Sequence, residues 1–236
     1  KLGTALNKIY STGTGGITIQ SIETDAVDYN NMMWESQILA KSGDIKLLAA
    51  NQSLFYISGN INLGSRDGVT VHGVDMSTST SDVTLQGYTF SWNGYEPALA
   101  TTGDFIWEPS SGESSFGMDI NTSWIYWNQN SQTVNNVRIG KASTTSGINL
   151  DTYSTGATGF ATGNTELDFD GDVTVYGGQV AVNTDLSAGG NIILNSDYTG
   201  AGSGISLSSV SVTTTSGDIV LNATTDATGL SNQVIY

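Results

Sequence analysis

Cysteine is absent from the 236 residues, which excludes disulfide staples and thiolate metal sites. Basic residues are scarce: 7 Lys and Arg stand against 22 Asp and Glu, a formal net charge of −15. A surface of that sign repels phosphate backbones and anionic lipid, so no nucleic-acid partner is expected. No apolar run approaches the ~20 residues of a membrane helix, so no membrane insertion is expected either. Histidine occurs once, as His72, which removes multi-His metal sites. Its setting, Val69-Thr70-Val71-His72-Gly73, reads as a strand end. Proline occurs twice, and charged residues make up 12% of the chain, about half the usual share. Helical periodicity is missing too. The nearest candidate, Met32 to Leu39, is too short to make three turns. The chain starts at Lys1 without a secretory leader, so a mature or excised piece is expected.

What the sequence does have is 29 Gly, abundant Ser and Thr, and 38% hydrophobic residues in alternating pattern, which argues for an ordered all-β chain rather than disorder. One phrase recurs: Gly, then Asp or Asn, then apolar-x-apolar. It stands at Gly43-Asp44-Ile45-Lys46-Leu47, Gly59-Asn60-Ile61-Asn62-Leu63, Gly171-Asp172-Val173-Thr174-Val175, Gly190-Asn191-Ile192-Ile193-Leu194 and Gly217-Asp218-Ile219-Val220-Leu221. Looser copies are Ser81-Asp82-Val83 and Gly103-Asp104-Phe105. Each reads as a turn feeding a short strand, with Gly expected at positive φ and the Asx side chain capping the turn. Copies about 20 residues apart predict a solenoid whose coils bury one another.

The C-terminal third carries the clearest pattern. Val173 to Ile192 spans 19 residues and Ile192 to Ile219 spans 27. The surplus matches the eight-residue polar stretch from Asn195 to Gly202, expected to be a loop inserted at one corner. At that period the chain would make about 10–12 coils, stacked ~4.8 Å apart. Asn183, Asn195 and Asn222 follow the triplets and are candidates for a stacked Asn ladder. Residues 87–140 depart from the pattern and hold four of the five Trp and both Pro. They are expected to be a modified, aromatic-rich segment within a single domain over 1–236.

Val134-Asn135-Asn136-Val137-Arg138-Ile139-Gly140-Lys141, the run from Asp172 to Leu186, and Gly190-Asn191-Ile192-Ile193-Leu194 together resemble the repeats of very large secreted bacterial adhesins, the filamentous-haemagglutinin-like proteins. The resemblance is best over about 130–223. It implies a right-handed parallel β-helix, export to the cell surface, and a role in adhesion or matrix building. It brings no catalytic residues with it.

Three groups of residues are candidate sites. Asp168, Asp170 and Asp172 alternate and offer oxygen ligands of the kind Ca²⁺ takes. No Glu stands downstream to complete a calcium loop, and a solvated acidic turn explains the run equally. Trp92, Tyr95, Trp107, Trp124, Tyr126 and Trp127 offer flat faces suited to sugar rings, with core packing as the alternative. In Trp124-Ile125-Tyr126-Trp127, strand alternation would put Trp124 and Tyr126 on one face and Ile125 and Trp127 on the other. Asp104 with Glu108, or Asp168 with Asp170, and Arg138 or Lys141 as a basic partner, are what a polysaccharide-cleaving enzyme would draw on. Nothing in their spacing sets them apart from turn residues.

The sequence therefore predicts an all-β, right-handed parallel β-solenoid acting as a secreted or cell-surface structural and adhesive segment rather than an enzyme. Its open ends would pair with neighbouring repeats or with other copies, giving filaments, and surface glycans would be further partners. No cofactor beyond Ca²⁺ is implied. Two rivals are a carbohydrate-binding or carbohydrate-cleaving β-helix protein and an antiparallel β-sandwich binding module.

Overall fold

The computed structural model of the chain describes residues 7–20, 36–49, 54–56, 62–64, 70–71, 74–75, 79–91, 98–128, 132–152, 165–198 and 204–225. Every regular element among them is a strand, apart from one 3₁₀ turn at Thr122–Trp124. The strands pair in parallel. The exception among the described residues is a small hairpin of Thr70–Val71 with Val74–Asp75. The chain is thus all-β with parallel sheets, and the antiparallel sandwich is set aside.

The largest sheet has eight strands and takes them in chain order: Ile17–Gln20, Ile45–Leu48, Val83–Gln86, Phe105–Glu108, Val137–Ile139, Val173–Gly177, Ile192–Tyr198 and Ile219–Thr225. The register is unbroken. Ile17, Ile45, Val83, Phe105, Val137, Val173, Ile192 and Ile219 form one column. Two residues on, Ile19, Leu47, Leu85, Trp107, Ile139, Val175, Leu194 and Leu221 form a second. Side chains two apart share a face, so the apolar-x-apolar phrase delivers both columns to the core. From Ile45 to Ile192 both are at most 2% exposed.

Smaller parallel sheets lie beside this one. Ile120–Asn121, Ile148–Leu150, Val180–Val182 and Ile205–Leu207 make a second sheet, and Glu166–Phe169, Asp185–Ala188 and Val212–Thr214 a third. Towards the N-terminus, Asn7–Ser11, Ser36–Ala40, Asn62–Gly64 and Ala98–Ala100 form another, and Leu54–Tyr56 pairs with Thr89–Ser91. Ile38, Phe90, Leu99, Ile120, Val180 and Leu186 from these sheets join one apolar cluster with the buried part of the two columns of the long sheet.

Three expectations change. Among the described residues the long sheet is visited eight times, not the expected 10–12, because the returns are uneven: 19 residues from Val173 to Ile192 but 38 from Ile45 to Val83. The stretch after Leu194 does not leave the sheet at once. Asn195 to Tyr198 continue the strand and pair with Asn222 to Thr225. The aromatic segment is not an interruption, since Phe105–Glu108 and Val137–Ile139 hold the common register. Among the described residues Phe90, Phe105, Trp107, Phe116, Tyr126 and Trp127 of this segment are buried. Phe90 meets Trp107 edge-on at 5.3 Å, Phe105 meets Trp127 at 5.0 Å, and Trp127 meets Phe169 at 5.4 Å.

Candidate functional site

The recurring phrase marks one corner of the fold. Gly43-Asp44, Ser81-Asp82, Gly103-Asp104, Gly171-Asp172, Gly190-Asn191 and Gly217-Asp218 each precede a strand of the long sheet, and Asn135-Asn136 does the same for Val137. Gly59-Asn60-Ile61 lies outside the described residues. The Asx side chains form a ladder. Asp104 N donates to Asp82 Oδ1 at 2.9 Å, Asn136 N to Asp104 Oδ1 at 3.2 Å, and Asp172 N to Asn136 Oδ1 at 2.7 Å. Asn191 N then donates to Asp172 Oδ1 at 2.6 Å, and Asp218 N to Asn191 Oδ1 at 2.9 Å. Backbone bonds run the other way, as in Val173 N to Asn191 O at 2.7 Å and Ile192 N to Asp218 O at 2.9 Å.

The corner glycines are not there for positive φ, as expected from the turn pattern. Among the described glycines only Gly112 (φ 92) and Gly140 (φ 75) have it. The reason is proximity. A Cβ on Gly43 would fall on the Gly15 backbone, one on Gly103 on the Ser81 carbonyl, and one on Gly217 on the Gly190 backbone. On Gly171 it would strike Asn136 Oδ1, and on Gly190 it would strike Asp172 Oδ1. The glycine leaves the space that the preceding Asx oxygen needs, so the two residues work as a unit.

This corner accounts for two of the five acids singled out from the sequence, Asp104 and Asp172. Asp172 is a rung of the ladder and also accepts from Asn191 Nδ2 at 3.2 Å. Asp168 lies in a different sheet and accepts from Ser187 Oγ. Asp170 stands exposed between them. Among the described residues no three His, Cys, Asp or Glu side chains converge on a common point, so the expected Ca²⁺ trio is not assembled. The physical reason is that the chain turns from one sheet to the next between Phe169 and Val173. Asp104 Oδ1 accepts from Asn135 Nδ2, Asn136 N and Asn136 Nδ2. Glu108 accepts from Gln86 Nε2 at 2.8 Å and pairs with Arg138 at 3.0 Å, tying three neighbouring strands across the outer face. Asp104 and Glu108 therefore have structural partners of their own.

The aromatic platform is corrected in the same way. Trp107, Trp127 and Tyr126 are 0%, 2% and 6% exposed, so they present no face to a sugar. Trp124 is half-buried and packs against Trp107 at 6.3 Å. Strand alternation does not hold here, because Thr122–Trp124 is a 3₁₀ turn capped by Asn121 Oδ1, which accepts from Ser123 N. The turn swings Ile125, Tyr126 and Trp127 all inward, and Trp127 Nε1 donates to Thr122 O at 2.9 Å. Trp92 and Tyr95 lie outside the described residues. The Asn ladder is present in part: Asn222 Nδ2 donates to Asn195 Oδ1 at 2.9 Å, while Asn183 is exposed beyond a strand of the second sheet.

One feature left no mark in the sequence pattern. An open, mostly polar cleft of about 420 Å³ lies where Tyr88, residues 113–119, Thr145 and Ser146 meet. Set against protein-family models, curated proteins and solved structures, the chain matches none of them.

Proposed function

We propose that this chain is a structural and adhesive segment: a right-handed parallel β-solenoid of a secreted bacterial surface protein. The observation that carries this reading is the eight-strand parallel sheet held in one register, with an Asx ladder along its corner. Such a stack derives its stiffness from repetition, each layer bonding only to its neighbours. Asp104 and Glu108 are engaged in holding layers together, which supports a scaffold over a catalyst.

The strand Ile219–Thr225 pairs on one side with Ile192–Tyr198 and has no second neighbour among the described residues. Ile219 is 43% exposed and Val220 37%, whereas Ile192 in the same column is fully buried. Exposed edges of this kind accept further strands. In this reading another copy supplies them, end to end. Electron microscopy and fibre diffraction of the purified chain across a concentration series test it. Rods or filaments with a ~4.8 Å axial spacing are expected, and compact particles without that spacing at any concentration would overturn it.

A further inference from the structure

We propose that the last layer of this chain receives the first layer of a second copy in one fixed register, with Ile17 stacked on Ile219 and Ile19 on Leu221. The inference rests on the end-to-end reading and names the two edges that meet. Ile17–Gln20 and Ile219–Thr225 are the outermost strands of the long sheet. Among the described residues the large apolar side chains that stand exposed are Tyr10, Ile219 and Val220, and all three belong to a terminal layer. The strand before the corner is terminal at each end too. Asn7–Ser11 heads its sheet, and Val212–Thr214 closes another. Each end therefore presents the same plan: a strand, a corner, and an edge strand of the long sheet.

The register follows from the bonds inside the sheet. At each of the seven junctions between its eight strands, the first inward residue donates its N–H to the carbonyl just before the next strand. The series runs from Ile17 N to Asp44 O at 2.7 Å, through Val83 N to Asp104 O at 2.8 Å, to Ile192 N to Asp218 O at 2.9 Å. In a parallel ladder alternate residues bond to opposite neighbours. Asp218 and Val220 thus face the strand before them, and the backbone N–H and C=O of Ile219 and Leu221 point outward. On the other edge Ile17 faces Ile45–Leu48, which leaves Thr18 to face outward. Laid against Ile219–Thr225 in the common register, the first long-sheet strand of the next copy gives Ile219 N the Gly16 carbonyl. It also gives Thr18 N the Ile219 carbonyl. The corner ladder continues as well: Asp218 Oδ1 accepts from Gly16 N of the next copy, as Asp172 Oδ1 accepts from Asn191 N at 2.6 Å.

Both columns of the core continue across that junction. Covering Ile219 and Leu221 with Ile17 and Ile19 removes apolar surface from water at both ends. A slip of one residue would turn Ile17 outward and Thr18 inward, so the core enforces the register. Charge favours the same partner. The chain carries −15 in all, yet residues 1–20 hold two Lys and no acid, and residues 204–236 hold two Asp and no Lys, Arg or His. The terminal layers are where a second copy meets least repulsion. Unlike ends bring opposite signs together, and like ends do not.

Because the chain has no cysteine of its own, disulfide trapping tests the register directly. Thr18 and Val220 lie on the outer face and would sit side by side, ~4.8 Å apart, within the ~4.4–6.8 Å that a disulfide spans. The full chain carrying Thr18→Cys with Val220→Cys, oxidised with copper phenanthroline, should give a ladder of covalent multimers on non-reducing gels. Thr18→Cys with Asn222→Cys stands two residues out of register, roughly 8 Å apart, and should give about tenfold less. Ile219→Pro removes the outward N–H and no bond within the chain. It should leave Tm within a few degrees and weaken association by roughly tenfold or more. The proposal is overturned if the second pair cross-links as well as the first, if neither does while filaments form, or if Ile219→Pro folds and still associates. Each of those results leaves the end-to-end reading standing. If the chain stays monomeric at every concentration, the register and the end-to-end reading fall together.

Discussion

At the scale of single residues, the corner shows why two residue types recur together. A glycine is required wherever the preceding layer's backbone or Asx oxygen occupies the space a Cβ would take. Gly103→Ala, which would press on the Ser81 carbonyl, should cost roughly 1–3 kcal/mol, or about 2–4 °C in Tm per kcal/mol for a chain of this size. Gly13→Ala, with nothing within 4 Å, should stay within about 0.5 kcal/mol. Thermal denaturation of the pair checks both. The ladder makes a sharper demand, because it needs the side-chain oxygen and not the charge: Asn136 and Asn191 serve where Asp104 and Asp172 serve elsewhere. Asp172→Asn should therefore be nearly neutral, whereas Asp172→Ala, which strips an acceptor from the Asn191 amide, should cost roughly 1–2 kcal/mol. Urea unfolding midpoints measure the difference. The glycine and Asx positions were legible in the sequence, but their reason was not. A turn residue and a stacking residue look alike until the neighbouring layer is in place.

At the scale of elements, the triplets were the readable part. Val173, Ile192 and Ile219 fall in one column as their spacing predicts, because a buried face fixes register. The aromatic stretch was harder to read. Phe105 and Trp107 sit at the same inward positions that Val83 and Leu85 occupy one strand earlier, so alternation survives, yet a tryptophan-rich run reads equally well as a display surface. The 3₁₀ turn at Thr122–Trp124 has no pattern of its own, and it alone decides that Tyr126 and Trp127 turn inward. Trp127→Phe should cost roughly 1–2 kcal/mol, from lost packing against Phe105 and Phe169 and from loss of one of the two hydrogen bonds to the Thr122 carbonyl, which keeps Ile125 N. Trp107→Ala should cost roughly 3–5 kcal/mol. Guanidinium unfolding reads both. The cleft was not legible at all, since Tyr88, residues 113–119 and residues 145–146 lie in separate stretches of the chain and share no spacing.

At the scale of the whole molecule, charge and edges oppose each other. Copies carrying −15 each repel at long range, so end-to-end association should strengthen as salt rises from about 10 to 150 mM and the screening length falls from ~30 to ~8 Å. Light scattering against ionic strength would show it, and association that weakens with salt would contradict it. Hydrogen exchange should be slowest from Val83–Gln86 to Val173–Gly177 and faster at Ile219–Thr225, which has one strand neighbour among the described residues. The Asx ladder also gives the stack a direction. Every Oδ1 from Asp82 to Asn191 receives its proton donor from the strand that follows it in the chain, and none from the strand before. The backbone bonds of the same corner run in the opposite sense, as from Val173 N to Asn191 O and from Ile192 N to Asp218 O. A copy added in the same sense as the last continues both sets of bonds, whereas like ends brought together interrupt the Asx ladder. End-to-end growth in the proposed reading is therefore vectorial, one sense along the whole filament.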